Sequence, residues 1–285
     1  MPIAAVNGTE LYYEVSGEGE PVVLLPGLGM GTAYFDLATP LFAETTKAIA
    51  LDPRGIARSA KPAEPYSAET WADDVAALLD HLGEGPAHLV GCSLGGCVAM
   101  ALVDRHPEKV ASLALVAAFS ELDFALELNW RLRMEIVEAT GMAGPIRDHV
   151  TLWTLGRAFL ETERGRAVAE RIRAGIGDND PAQYQRFLNA ILDFGRVTPE
   201  TSGLPTYTER LREVRVPTLF IVGADDILTP PVHSHRAAAA MPEGVAEVVV
   251  IPDCGHITMV EAPEENVRLV VEFVQRVTAG SEVEA

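Results

Sequence analysis

Residues Leu89–Gly96 read LVGCSLGG: an apolar run that ends in a serine with glycines two positions away on either side. The run reads as a strand ending near Val90, and CVAMALVDRHP after it reads as a helix. A strand that turns straight into a helix forces the residue at the corner into strained backbone. Gly91 and Gly95 remove the side chains that would collide there. Ser93 in the G-x-S-x-G spacing then stands clear of the sheet, beside helix amides that favour negative charge. One reading makes Ser93 a nucleophile; the other makes it a small residue idle in a glycine-lined turn.

Working outward, apolar runs rich in branched residues recur: PVVLLPG from Pro21, KAIALD from Lys47, AHLVG from Ala87, VASLALV from Val110, TLFIVG from Thr218 and AEVVVI from Ala246. Helical patterns lie between them. That alternation predicts an α/β fold, a mostly parallel, doubly wound sheet covered by helices on both faces. The opening IAAVN and TELYYEV read as an antiparallel hairpin at the sheet edge. SAETWADDVAALLDHLG reads as a helix capped by Ser67, acidic in its first two turns and ended by Gly83. PEENVRLVVEFVQRV from Pro263 carries Val267, Val270, Val271, Phe273 and Val274 on one stripe, as a final helix packed on the sheet would, and TAGSEVEA reads as a frayed tail.

Between Phe119 and about Thr206 the strand rhythm stops and helical patterns take over, broken at GMAGP and GDNDP. The expected division is a core of residues 1–118 and 207–285 with a helical cap, 119–206, inserted over the carboxyl edge of the sheet. Phe119 to Pro205 holds ten arginines against thirteen carboxylates, which leaves twelve cations and twenty-eight acids elsewhere. The cap is therefore much less acidic than the core.

A formal charge of -19 opposes approach to nucleic acid and to anionic membranes. No apolar stretch is long enough for a membrane span, and MPIAAVNGTELYYEV lacks a basic region followed by an apolar one, so the reading is an acidic cytoplasmic protein. With 285 residues, 48% of them hydrophobic, the chain can build one large core. Cys92, Cys97 and Cys254 are odd in number and lack metal-ligand spacing, as expected of reduced, buried thiols. The oligomeric state is not legible.

A serine hydroxyl needs a base. Of seven histidines, His256 has a fitting place, in IPDCGHITMVEAPEE after the last strand and before the last helix. His81, His88, His106, His149, His233 and His235 fit surface or packing positions. The imidazole in turn needs an acid to hold its tautomer, and VGADDILTPP supplies one just after the preceding strand. Asp226, three residues after Gly223, is the choice; Asp225 reads as a solvated loop acid, because a slip of one residue reverses a side chain's direction. Glu121 and Asp123 are alternatives. An oxyanion hole would use the Leu94 amide and the Leu28 amide after Gly27 in LLPGLGM, with Pro26 as a rigid shoulder that has no N–H.

Along nearly its whole length the chain resembles α/β-hydrolase-fold serine hydrolases, in which the triad follows the order serine, acid, histidine. LDPRGIARSAKP is similar to the family's D-x-R-G-x-G-x-S loop, with Asp52, Arg54, Gly55 and Ser59 matching. Ala57 stands where the second glycine is usual, and Pro26 where a histidine often precedes the oxyanion glycine. NWRLRMEIVEATGM, the later LW, and TPP after the acid are similar to the 3-oxoadipate enol-lactonase-like branch. The resemblance implies a hydrolase that needs no cofactor and no metal and cleaves a small carboxylic ester or lactone, an enol-lactone being favoured, through an acyl-enzyme on Ser93. It further implies that Trp130 and Arg133, at i, i+3 on one helix face, look into the pocket and hold a substrate carboxylate; the competing reading has Trp130 packing the cap and Arg133 solvated. The same triad serves thioester, amide and carbon–carbon bond hydrolysis. Serine at the elbow argues against the dehalogenase and epoxide hydrolase branches. A ligand receptor on the hydrolase scaffold, or a cofactor-free oxygenase or perhydrolase, would be a different class of protein.

Overall fold

In the computed structural model, which describes residues 2–195 and 205–284, the chain opens on the expected hairpin. Strands β1 (Ile3–Val6) and β2 (Thr9–Ser16) pair antiparallel, turning at Asn7 and Gly8, both at positive φ. All six apolar runs become strands: β3 (Pro21–Leu25), β4 (Lys47–Leu51), β5 (Ala87–Cys92), β6 (Val110–Val116), β7 (Thr218–Gly223) and β8 (Ala246–Ile251). They form one sheet in the order β1-β2-β4-β3-β5-β6-β7-β8. β2 meets β4 antiparallel, and every pair from β4 to β8 is parallel. β5 and β7 are buried at every residue because helices cover both faces, which is why their sequences are continuously apolar rather than alternating. β8, at the edge, buries only Ile251 fully.

Eight helices of ten residues or more accompany the sheet among the described residues. Helix α1 (Ala68–Leu82) starts where Ser67 Oγ accepts the Thr70 N–H and ends at left-handed Gly83. Helix α2 (Leu94–Arg105) follows β5 without a loop and is buried from Leu94 to Val103. Between β6 and β7 come α3 (Phe124–Thr140), α4 (Gly144–Thr154), α5 (Glu163–Gly177) and α6 (Pro181–Gly195), with both expected breaks at helix junctions. α3 packs on α6 and α4 on α5. Residues 196–204, within the expected insertion, lie outside the described residues. Helix α7 (Pro231–Ala240) precedes β8, and α8 (Pro263–Glu284) continues as helix through the segment expected to fray.

Sheet order also creates the site. β3 lies between β4 and β5, so the chain leaves β3 toward one side while the next strands are added on the other. Loops after β3 and β5 therefore diverge, and a crevice opens at the carboxyl edge between them. The Gly27 loop and Ser93 border that crevice; the loops after β7 and β8 bring Asp226 and His256 to the same edge.

Candidate active site

Ser93 joins β5 to α2 at φ 51°, ψ -115°, a conformation that costs a non-glycine residue about 1–3 kcal/mol unless its surroundings impose it. They do: its N–H donates to Val116 O at 2.8 Å, and its carbonyl accepts the Gly96 N–H at 2.8 Å. A Cβ on Gly91 would come within 2.5 Å of Gly95 O, and one on Gly95 within 2.1 Å of Leu25 O, so the corner closes only with glycine at both places. The loop after β3 faces this corner, since a Cβ on Gly27 would lie 3.8 Å from Ser93 Cβ. Met30 N–H to Gly27 O, at 3.2 Å, closes a turn with Gly29 at φ 70° and Leu28 at its centre. The N–H groups of Leu28 and Leu94 donate to no described residue, which leaves both available to an anion. Ser93 Oγ likewise makes no hydrogen bond to a described residue.

His256 Nδ1 lies 2.9 Å from Asp226 Oδ2. Asp226 Oδ1 accepts the Leu228 N–H at 2.8 Å and the Thr229 N–H at 2.9 Å. Burial opposes its charge, but the charge and hydrogen bond of His256, with the Thr229 donors, hold the carboxyl below the usual range. An ionised Asp226 takes the Nδ1 proton in its hydrogen bond and leaves Nε2 as the basic atom. Thr229, the first residue of the TPP stretch and given no role by the sequence, packs its Oγ1 2.9 Å from Asp226 Oδ2, 3.0 Å from His256 Nδ1 and 2.9 Å from Ala117 O. Its signal is the aspartate itself, whose carboxylate takes the backbone N–H groups two and three residues on and so turns Thr229 back toward it. Asp225 is exposed. Asp123 caps α3 and pairs with His233, and Glu121 pairs with Arg236, so neither alternative acid is bonded to His256.

The histidine loop is tied to the inserted helices. His256 N–H and Ile257 N–H donate to Thr154 O, at 2.9 and 3.2 Å. The buried Glu261 carboxylate accepts the N–H of Gly255 and of Gly156, each at 3.1 Å. Gly255 and Gly156 touch backbone to backbone, as no larger residue would permit.

Beside the crevice, buried Asp52 accepts the N–H groups of Thr32 and Arg58, at 2.7 and 3.0 Å, while Arg54 bonds Asp74 through Nε and Nη2. Ala57 holds φ 44°, the region where a glycine costs less. All three cysteines are free and buried.

Trp130 and Arg133 are 1% and 2% exposed. The reading in which Arg133 is solvated is thereby corrected: α3 turns both side chains inward, and the guanidinium carbon sits 4.5 Å over the Trp130 ring. No described residue pairs ionically with it.

Among the described residues, no three His, Cys, Asp or Glu side chains are grouped to hold a metal ion, and no helix is long and apolar enough to cross a membrane. Residues 22–269 match a family model described as the alpha/beta hydrolase family. RutD of Azorhizobium caulinodans, named provisionally as a carbamate hydrolase, is 32% identical over 87% of this chain and 89% of its own. The enol-lactonase of Burkholderia xenovorans LB400 superposes with a TM-score of 0.83 at 27% identity, covering 96% of this chain and 100% of its own. A thermophilic esterase from Thermogutta terrifontis gives 0.81 at 27% identity, covering 94% of each chain.

Proposed function

The chain belongs to the alpha/beta hydrolase family, and from that premise we propose that it is a serine hydrolase cleaving a small carboxylic ester or lactone through an acyl-enzyme. One observation carries this reading: the buried Asp226–His256 bond stands at the same sheet edge as a serine held in strained backbone geometry. His256 Nε2 removes the Ser93 proton as Oγ attacks the carbonyl carbon. The oxygen that becomes negative is held by the Leu28 and Leu94 N–H groups, each typically worth about 3 kcal/mol in the transition state. His256 then protonates the leaving oxygen, which in a lactone stays attached to the acyl group. Water, deprotonated by His256, attacks the acyl-enzyme and releases the acid.

The favoured substrate is an enol-lactone bearing a carboxylate. It is supported by the resemblance of the NWRLRM segment, by the likeness to an enol-lactonase, and by Arg133, a buried cation with no anionic partner among the described residues. Trp130 and Arg133 take the substrate carboxylate, and residues 119–206 act as the cap that carries them.

A fluorophosphonate tests the chemistry. It is expected to label Ser93 alone, and Ser93→Ala to lose both labelling and turnover of an aryl ester. Labelling at Cys92 would overturn the assignment, and slow stoichiometric acylation without turnover would make the protein a receptor instead.

A further inference from the structure

Helix α3 is apolar on two sides. Leu126, Trp130 and Val137 lie on the side turned toward α6 and buried. Phe124, Leu128 and Leu132 lie on the other, 80%, 53% and 42% exposed. Ile136, half-buried, continues their i, i+4 ridge. One apolar stripe is enough to seat a helix on its own protein, so folding alone does not call for the second. Two more exposed apolar side chains adjoin it. Asp123 Oδ2 meets His233 Nε2 at 3.1 Å, which sets the first turn of α3 against the first turn of α7 and brings the segment that carries Ile227 and Val232 beside Phe124.

Of ten large apolar side chains exposed among the described residues, five therefore gather on one face. They present on the order of 500 Å2 of apolar surface, the upper end of what a monomer leaves open. With the polar groups between them, the face comes near the roughly 800 Å2 per partner of a stable protein interface.

Charge decides what covers it. The formal -19 opposes contact with anionic surfaces and, over most of the molecule, with another copy of itself. Phe119 to Pro205, with ten arginines against thirteen carboxylates, carries little of that charge, so copies repel least here. The flank of the ridge is also self-complementary. Arg131 Nη2 pairs with Glu127 Oε1 at 2.6 Å along one edge of it. If the ridge is laid antiparallel on itself about a twofold axis at the level of Asn129, Leu128 falls between Leu128 and Leu132 of the second copy, and Phe124 between its Leu132 and Ile136. The same register sets Arg131 of each copy opposite Glu127 of the other, so the charges alternate across the seam.

We infer that this face joins two copies of the chain in a twofold dimer, α3 against α3, with the apolar ridge at its centre and the Glu127–Arg131 pairs fixing the register. The inference is independent of the reaction that the site performs. The dimer braces from outside the helix whose inner side carries Trp130 and Arg133.

Sedimentation velocity over a dilution series is expected to show a monomer–dimer equilibrium. Leu128→Lys should raise Kd at least about thirtyfold, because it places a charge at the centre of the contact. Arg131→Glu should raise it about tenfold by gathering like charges, and adding Glu127→Arg to the same chain, which restores the alternation, should return it to within about threefold. A short bismaleimide should join Leu128→Cys chains and leave Ile3→Cys chains, altered at the far edge of the sheet, single; the native thiols are buried. Circular dichroism and Tm report whether each variant folds. Protein that stays monomeric at every concentration would overturn the inference, as would a dimer that Leu128→Lys leaves intact. A double charge variant that fails to recover would refute the antiparallel register. Monomeric protein that sediments with phosphatidylcholine vesicles, and no longer does so as Leu128→Lys, would assign the face to lipid instead.

Discussion

His256 Nδ1 and Asp226 Oδ2 lie 2.9 Å apart with both side chains closed to solvent, whereas Asp225, one residue earlier, is exposed. Asp226→Asn replaces an acceptor with an amide that can present its NH2 to the imidazole, which disturbs the tautomer. Turnover of an aryl ester should fall by about three to four orders of magnitude. Asp225→Asn should stay within about twofold. Steady-state kinetics of the two variants checks this, and a reversed pattern would move the acid role to Asp225.

Gly255→Ala is expected to damage both stability and turnover. The added Cβ would meet Gly156 N at 2.3 Å and Glu261 Oε1 at 2.7 Å, backbone and clasp together. Either the histidine loop or the Gly156 segment must shift, and His256 moves with the first. A fall in Tm of at least about 5 °C, from a cost of about 2 kcal/mol, should accompany a loss in kcat larger than any change in KM. An unchanged kcat would show that the clasp does not position His256.

The thiols should be silent in the folded protein. Burial pushes Cys92 and Cys254 each up to about 12, and Cys97 well above its ordinary value. The thiolate is the reactive form, so 5,5′-dithiobis(2-nitrobenzoate) at pH 8 should release almost no colour until denaturant is added, and then the signal of three thiols. Rapid reaction of one thiol in the native protein would contradict this packing.

Acid should weaken the fold through His88. Its ring is buried in the sheet, with Nδ1 2.7 Å from Ser112 Oγ, and burial pushes its pKa down to about 4. Unfolded, a histidine titrates near 6.5, so between those values the unfolded chain takes a proton that the folded one refuses. Stability is therefore lost as pH falls from about 6.5 toward about 4, by up to roughly 3 kcal/mol. Urea midpoints across that range should decline less steeply for His88→Gln, and equal slopes would remove His88 from the account.

The sequence by itself determined the elements whose signal is local. Six continuous apolar runs declared a sheet buried on both faces, and Gly91 and Gly95 around Ser93 declared a strand-to-helix corner, because backbone sterics there depend on neighbours in the chain. His256 and the Asp225–Asp226 pair were legible as loop residues after strands. Tertiary structure alone decided which distant groups meet. Asp226 rather than Asp225 turned inward once β7 and β8 were paired. Thr229 joined the pair from 27 positions before His256, and Glu261 reached Gly156 across 105. The inserted helices concealed most: Arg133 turned inward rather than to water, and Tyr184 settled on Gly29. Helical periodicity says which face of a helix is apolar, but not which other helix will cover that face. That choice belongs to the packing of the whole chain.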